Sequence, residues 1–193
     1  MRKLAAAAAA VALGLFAGTA QAALVSTLQV VSPVPTLYPT GHAPMTGSAT
    51  GDVTAGLYMV DLGLGSSGCD AADFAGFAAG RIALIERSGC NFSVKAMNAE
   101  AAGAVAAIIF NHLPGDFTGT LGGAIVNIPV IALDRDIGLI LAENLPNGGG
   151  LSLVRLTVAN DPSLDVPEPA TLGLLGAALL AFAALRRRRH PPA

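Results

Sequence analysis

The chain has no tryptophan, only two tyrosines, two cysteines and three histidines, and each shortage removes a class of chemistry. The histidines, His42, His112 and His190, stand far apart in sequence, and neither cysteine has a histidine nearby. That pattern is not a structural zinc site, which draws four nitrogen or sulfur ligands together. No G-x-S-x-G elbow, Ser-His-Asp set or paired-carboxylate motif is present, so no nucleophile or acid–base pair announces itself. Basic residues are scarce as well: residues 23–165 hold five of them against twelve acids. So acidic a body cannot offer the basic patch that a phosphate backbone demands, and nucleic acid is excluded as a partner. Charged runs are absent from the same stretch while apolar residues are plentiful, which excludes a disordered chain.

What the chain does have at each end is an address. Arg2 and Lys3 precede an apolar run over residues 4–16, and Ala20-Gln21-Ala22 ends it with small residues. This is the pattern of a secretory signal peptide over residues 1–22, cut by signal peptidase after Ala22. At the other end, Val166-Pro167-Glu168-Pro169 leads into sixteen uncharged residues, 170–185, and then into Arg186 to Arg189. A helix of that length spans about 24 Å, against roughly 30 Å of hydrocarbon, so it can insert in a membrane only marginally. Arginines beyond it favour a cytoplasmic C-terminus and leave the body outside. Insertion is then transient if the tail is removed and permanent if it is not.

Between the addresses, residues 23–165 are expected to form one domain. Its centre is residues 81–110. Ile82, Leu84 and Ile85 read as a strand bounded by Gly80 and by Ser88-Gly89. Asn91 or Ser93 can cap a following helix with Val94, Met97 and Ala101 on one face, and Gly103 supplies its left-handed stop. A second apolar run over 105–110 follows at once. Two such runs joined by about three helical turns predict a parallel βαβ unit. Phe92, Val94 and Met97 are expected in the core and Lys95 in solvent.

The rest reads more plainly. A strand is expected over 24–31, then an irregular stretch with Pro33, Pro35, Pro39 and Pro44 in which His42 is a solvated loop residue. Another strand is expected over 56–61. Gly63, Gly65 and Gly68 match G-x-G-x-x-G, with Glu86 eighteen residues further on, but residues 69–80 make a poor helix, with two glycines and no Leu, Ile or Val. A flexible loop is the better reading, and with it a nicotinamide site is set aside. Cys69 and Cys90 are expected to pair, because an exported chain meets an oxidising compartment. Closure of such a loop stabilises by roughly 3 kcal/mol. Residues 116–123 are expected to be a mobile loop. Residues 127–133 predict a strand with Pro129 at its start or at an edge, Asp134 caps a second helix to Asn144, and residues 151–158 alternate as a last strand.

The tail resembles the PEP-CTERM sorting signal of Gram-negative bacteria on Pro167-Glu168-Pro169, the apolar segment and the arginine cluster. The resemblance implies export, recognition by an exosortase-type enzyme, removal of the tail and residence at the cell surface or outside it, among exopolysaccharide. The body resembles a protease-associated (PA) domain from about residue 51 to residue 144. The resemblance rests on Gly68-Cys69, Asp73-Phe74, residues 80–85, Arg87, Cys90-Asn91-Phe92, Lys95, Asn98-Ala99, residues 102–104, Ile108-Ile109, Asn111, residues 128–130 and Gly138. The family turn is Arg-Gly-x-Cys-x-Phe, and this chain has Ser88-Gly89 in its place.

Membership implies an α+β fold of the swivelling β/β/α kind, a strand-rich sandwich or partly closed barrel with two main helices. It also implies a non-catalytic module that binds peptides, a peptidase or other proteins, or matrix, so that the chain is expected not to be an enzyme and to need no cofactor. Arg87, Asn111 and His112 follow strand ends of one βαβ unit and are the candidate ligand rim. A small secreted hydrolase built on His112, or a peptidase accessory subunit, is the competing reading.

Overall fold

A computed structural model of the chain describes residues 23–61, 67–145 and 149–164, together with Gly176 and Leu179 of the tail. The expected signal peptide with Ala22, the sorting element Pro167-Glu168-Pro169, and Gly63 and Gly65 of the glycine motif lie outside the described residues. So does the expected transmembrane segment 170–185, apart from Gly176 and Leu179. Among the described residues no helix is long and apolar enough to cross a membrane.

Among the described residues eight strands form one mixed sheet: β1 (Leu24–Ser32), β2 (Thr36–Tyr38), β3 (His42–Pro44), β4 (Gly51–Val60), β5 (Ile82–Glu86), β6 (Ala106–Phe110), β7 (Val130–Leu133) and β8 (Gly149–Asn160). They lie side by side in the order β2-β1-β8-β4-β5-β6-β7-β3. Strands β4, β5, β6 and β7 run parallel to one another; β8 pairs antiparallel with β4, β1 with β8, β2 with β1, and β3 with β7. The predicted βαβ unit is β5, helix α1 (Phe92–Ala101) and β6, with Ile82 opposite Ala106 and Glu86 opposite Phe110. Helix α2 (Arg135–Glu143) follows β7. Among the described residues the fold is α+β with two α-helices and a sheet whose ladder is unclosed.

Strands β5, β6 and β7 are near-continuous apolar runs because both of their faces are covered. Ile82, Leu84, Ile108, Phe110, Ile131 and Leu133 point to one side, where Leu28, Val30, Leu57, Val154, Leu156 and Leu141 of α2 complete a core. Ala83, Ile85, Ala107, Ile109, Val130 and Ala132 point to the other, against Ala96 and Ala99 of α1 and against Phe74 and Leu121. Alternation within each strand therefore feeds two cores, one per face.

Helix α1 presents a different face from the expected one. Ala96, Ala99 and Lys95 are buried, whereas Met97 is 43% exposed and Phe92 and Val94 are only half-buried. Small residues face the strands because they let the helix sit close above Ala83 and Ala107. Its stop is as expected: Gly103 follows the C-cap Ala102 with φ +86°. At α2 the Asp134 carboxylate accepts from the Asp136 N–H at 2.7 Å and the Ile137 N–H at 3.4 Å, which is the predicted cap.

Three loop readings change. The proline-rich stretch holds two short strands, β2 and β3. His42 lies in β3, half-buried, where Nε2 donates to the Tyr38 carbonyl at 2.8 Å and Nδ1 pairs with the Ser26 hydroxyl at 2.8 Å. Its ring thus ties β3 to β1 across the seam of the open sheet, a long-range role that local composition does not reveal. The loop expected to be mobile is pinned instead: Thr46 N–H donates to the Gly119 carbonyl, Leu121 N–H donates to the Thr46 carbonyl, and Leu121 is buried.

Candidate ligand-binding site

Parallel strands that end in register place the residues just beyond them side by side. Glu86 is opposite Phe110, so Arg87 and Asn111 become neighbours: the Arg87 N–H donates to the Phe110 carbonyl at 2.8 Å and the Asn111 N–H donates to the Leu133 carbonyl at 2.9 Å. Open sheets of parallel strands commonly bind ligands beyond such carboxyl ends. Here a cleft of about 650 Å³ opens there. One wall is Arg87 to Ser93, and the other is Thr120, Leu121 and Gly122 of the pinned loop.

Arg87 is the expected rim residue that lines this cleft. Its Nη1 donates to Asn111 Oδ1 at 3.2 Å, and its guanidinium lies 4.7 Å from the Phe117 ring centroid and 5.7 Å from that of Phe92. Asn111 stands behind it, only 3% exposed, and positions it. Its Oδ1 also accepts from the Leu113 N–H at 3.4 Å and its Nδ2 donates to the Gly115 carbonyl at 2.9 Å, so the amide cannot turn. His112 is exposed, is absent from the cleft wall and has no hydrogen-bond partner among the described residues. The rim is therefore Arg87 with the 88–93 turn and the 120–122 loop, and Asn111 supports it from beneath. Sequence reading missed Phe117 and the 120–122 wall, because only the return across Thr46 brings them to Arg87.

Beneath the turn, Cys69 and Cys90 are joined with their Cα atoms 5.8 Å apart. Lys95, expected in solvent, is fully buried there. Its Nζ donates to the Ser67 carbonyl and lies 3.6 Å from Cys69 Sγ, while Asn98 Nδ2 donates to the Gly68 and Cys69 carbonyls at 3.1 and 2.9 Å. Burial pushes the Lys95 ammonium below its ordinary pKa, with the charges of Asp73 and Glu86 pulling the other way. Lys95 and Asn98 stand one turn apart on α1 so that both can hold the main chain of residues 67–69.

Ser88 occupies the family's glycine position and adopts φ +146°, followed by Gly89 at φ +81°. Positive φ of this kind strains a side-chain-bearing residue by about 1–3 kcal/mol. Replacing it should relieve that strain, less about 0.5–1 kcal/mol for the added freedom of glycine in the unfolded chain. Ser88→Gly is expected to be about 1 kcal/mol more stable in urea denaturation than Ser88→Ala, which loses the same hydroxyl but keeps the strained φ, and an alanine variant at least as stable would contradict the strained turn.

An open mixed sheet, a helix on each face and a cleft at the parallel strand ends define an α+β domain of the swivelling β/β/α class. Residues 49–141 match the family model described as PA domain, and residues 165–189 match the PEP-CTERM protein-sorting motif. The chain is a PA-domain protein that carries a PEP-CTERM sorting signal.

Among curated proteins it is similar to an aminopeptidase of Pseudomonas aeruginosa, 47% identical over 104 residues, covering 48% of this chain and 19% of the relative. It is also similar to leucine aminopeptidase 2 of Trichophyton rubrum, 37% identical over 84 residues, covering 43% of this chain and 17% of the relative. Among solved structures, a zinc aminopeptidase of Bacillus subtilis superposes with a TM-score of 0.58 at 32% identity, covering 73% of this chain and 31% of that one. The aminopeptidase of Aneurinibacillus sp. strain AM-1 gives 0.54 at 32%, covering 72% and 33%. The chain thus spans under a fifth of the length of these curated relatives and about a third of these structures.

These matches correct the expectation that the chain is not an enzyme. Its relatives are named aminopeptidases, so the flat exclusion of an enzyme does not stand. The similarity covers the PA portion, and it assigns no catalytic domain. Among the described residues no group of three or more His, Cys, Asp or Glu side chains could hold a metal ion, so the zinc named for the Bacillus subtilis enzyme has no matching ligand set there.

Proposed function

We propose that this exported PA-domain protein binds an extended peptide, or a loop of a partner protein, in the cleft between residues 87–93 and 120–122. The observation that carries the reading is the cleft itself, about 650 Å³ with walls of arginine, hydroxyl side chains, glycine backbone and Leu121. A volume of that order suits a ligand of a few residues, and exposed backbone beside Gly89 and Gly122 offers main-chain hydrogen bonds. Docking across strand ends is favoured over addition of a strand, because the sheet ends in β2 and β3, each three residues long.

The relatives named aminopeptidases favour a peptidase or its substrate as the partner. Matrix exopolysaccharide is a further candidate, set by location alone. The tail is read by an exosortase-type enzyme and removed, which leaves the body at the cell exterior; an unprocessed tail would anchor it in the membrane.

Thr120 is exposed on the cleft wall, so Thr120→Trp fills the cleft with little strain on the core. Tagged wild type and this variant, each recovered from the host, would be used to capture ligands from the extracellular fraction, with mass spectrometry of both bait and catch. Peptides or proteins retained by wild type and lost with Thr120→Trp are expected. Equal capture by the two baits would sink the cleft as the binding site, and a bait whose intact mass still includes residues 170–193 would sink tail removal.

A further inference from the structure

We propose that the cleft is a carboxylate receptor, in which Arg87 takes the carboxylate of the bound segment. The proposal rests on the peptide reading above and names the chemistry that the peptide must carry. Other cations of the described body are occupied elsewhere or out of reach. Arg155 is bidentate with Asp52 at 2.9 and 2.6 Å, Arg135 pairs with Asp136 at 3.5 Å, Lys95 is buried on the Ser67 carbonyl, and Arg81 precedes β5, at the opposite end of that strand from Arg87.

Arg87 differs from these. Among the described residues no carboxylate lies within ion-pair distance of it, although acids outnumber bases more than two to one between residues 23 and 165. It is held by neutral groups alone, the Asn111 amide and the Phe117 and Phe92 rings. These fix the guanidinium without neutralising it. Nε and Nη2 have no partner among the described residues, which leaves two donors of the fork for a planar anion. Two parallel donors match the two oxygens of a carboxylate, and a pre-positioned guanidinium loses little entropy on binding one.

The surroundings agree. Helix α1 begins in the cleft wall with Asn91 as an N-cap whose side chain makes no capping hydrogen bond, so the positive end of its dipole adds to the same field. Phe92 and Leu121 of the cleft lining give the ligand an apolar flank, and partial exclusion of water there strengthens the ion pair. The carboxylate has two sources in a peptide, an Asp or Glu side chain or the chain terminus.

The test uses the full-length protein and four probes: hexapeptide pools with a free C-terminus and Gln as the only polar residue, amidated pools with Glu, amidated pools with Gln, and an oligouronate. Titration calorimetry on wild type is expected to show one or both carboxylate pools binding at least about tenfold more tightly than the amidated Gln pool, the worth of one charged hydrogen-bonded contact. Arg87→Gln should erase that preference and Arg87→Lys should keep part of it. Because the preference is read first on wild type, a variant that failed to fold would not hide the answer. Equal affinity for all three peptide pools would overturn the carboxylate and leave the peptide reading standing. Binding of no peptide pool, or of the oligouronate alone, would overturn both.

Discussion

Lys95→Ala is expected to destabilise the protein by about 3 kcal/mol, more than a helix-surface alanine substitution should. Two losses add up. The carbonyl of the fully buried Ser67 would lose the Nζ donor, which costs about 1–3 kcal/mol for an unsatisfied buried group. The lysine stem also fills space between α1 and residues 67–69, and its removal leaves a cavity. Lys95→Met keeps most of the volume and should cost less than Lys95→Ala.

The methionine variant also carries a pH signature. Burial lowers the Lys95 pKa in the folded state from 10.5, so the unfolded chain holds the extra proton between the folded value and 10.5. Stability of wild type must then rise relative to Lys95→Met as pH climbs through that window, because the desolvation penalty of the buried ammonium disappears. Urea midpoints measured for both proteins across the window would decide it. A difference that stays flat with pH, or an alanine variant as stable as wild type, would contradict a buried ammonium.

Gly138→Ala should cost about 2 kcal/mol even though it places the best helix former in a helix. A Cβ at Gly138 would stand 2.4 Å from both Cβ and Cγ of Phe110, which is itself fully buried in the sheet. Those atoms sit next to the β6 backbone and cannot swing aside, so α2 would have to lift from the sheet. Overpacking of this kind costs up to about 3 kcal/mol. The gain in helix propensity returns only about 1 kcal/mol, so the steric term wins. Thermal and urea unfolding would check it, and an alanine variant more stable than wild type would mean that α2 does not rest on Phe110.

The same glycine illustrates what can be read before a structure exists. Its place in the family pattern was legible, but nothing in residues 135–143 alone says that Phe110 approaches it. The βαβ unit was legible because its strands are buried on both faces and its connection is short, which leaves few alternatives. The faces of α1 were not. Val94 and Met97 carry the larger side chains, and apolarity alone puts them inward. The strands above carry Ala83 and Ala107, however, and a close approach requires the alanine face. Lys95 follows that rotation inward, and its charge is tolerated because a carbonyl and two acids stand near it. In the rim, the register of β5 and β6 made the Arg87 and Asn111 pair predictable. His112 is exposed and has no partner among the described residues, since it lies one residue past the position that the register presents to Arg87.

By itself the sequence determined the C-terminal sorting motif, the acidic body, the parallel centre and its family, because these depend on composition and on contacts between near neighbours in the chain. Only the tertiary structure decided which face of α1 is inside, that His42 spans the seam of the sheet, and that residues 120–122 face Arg87 across a cleft. Those outcomes depend on contacts between segments far apart in the chain, where side-chain volume and hydrogen-bond geometry select one arrangement among many that local pattern allows.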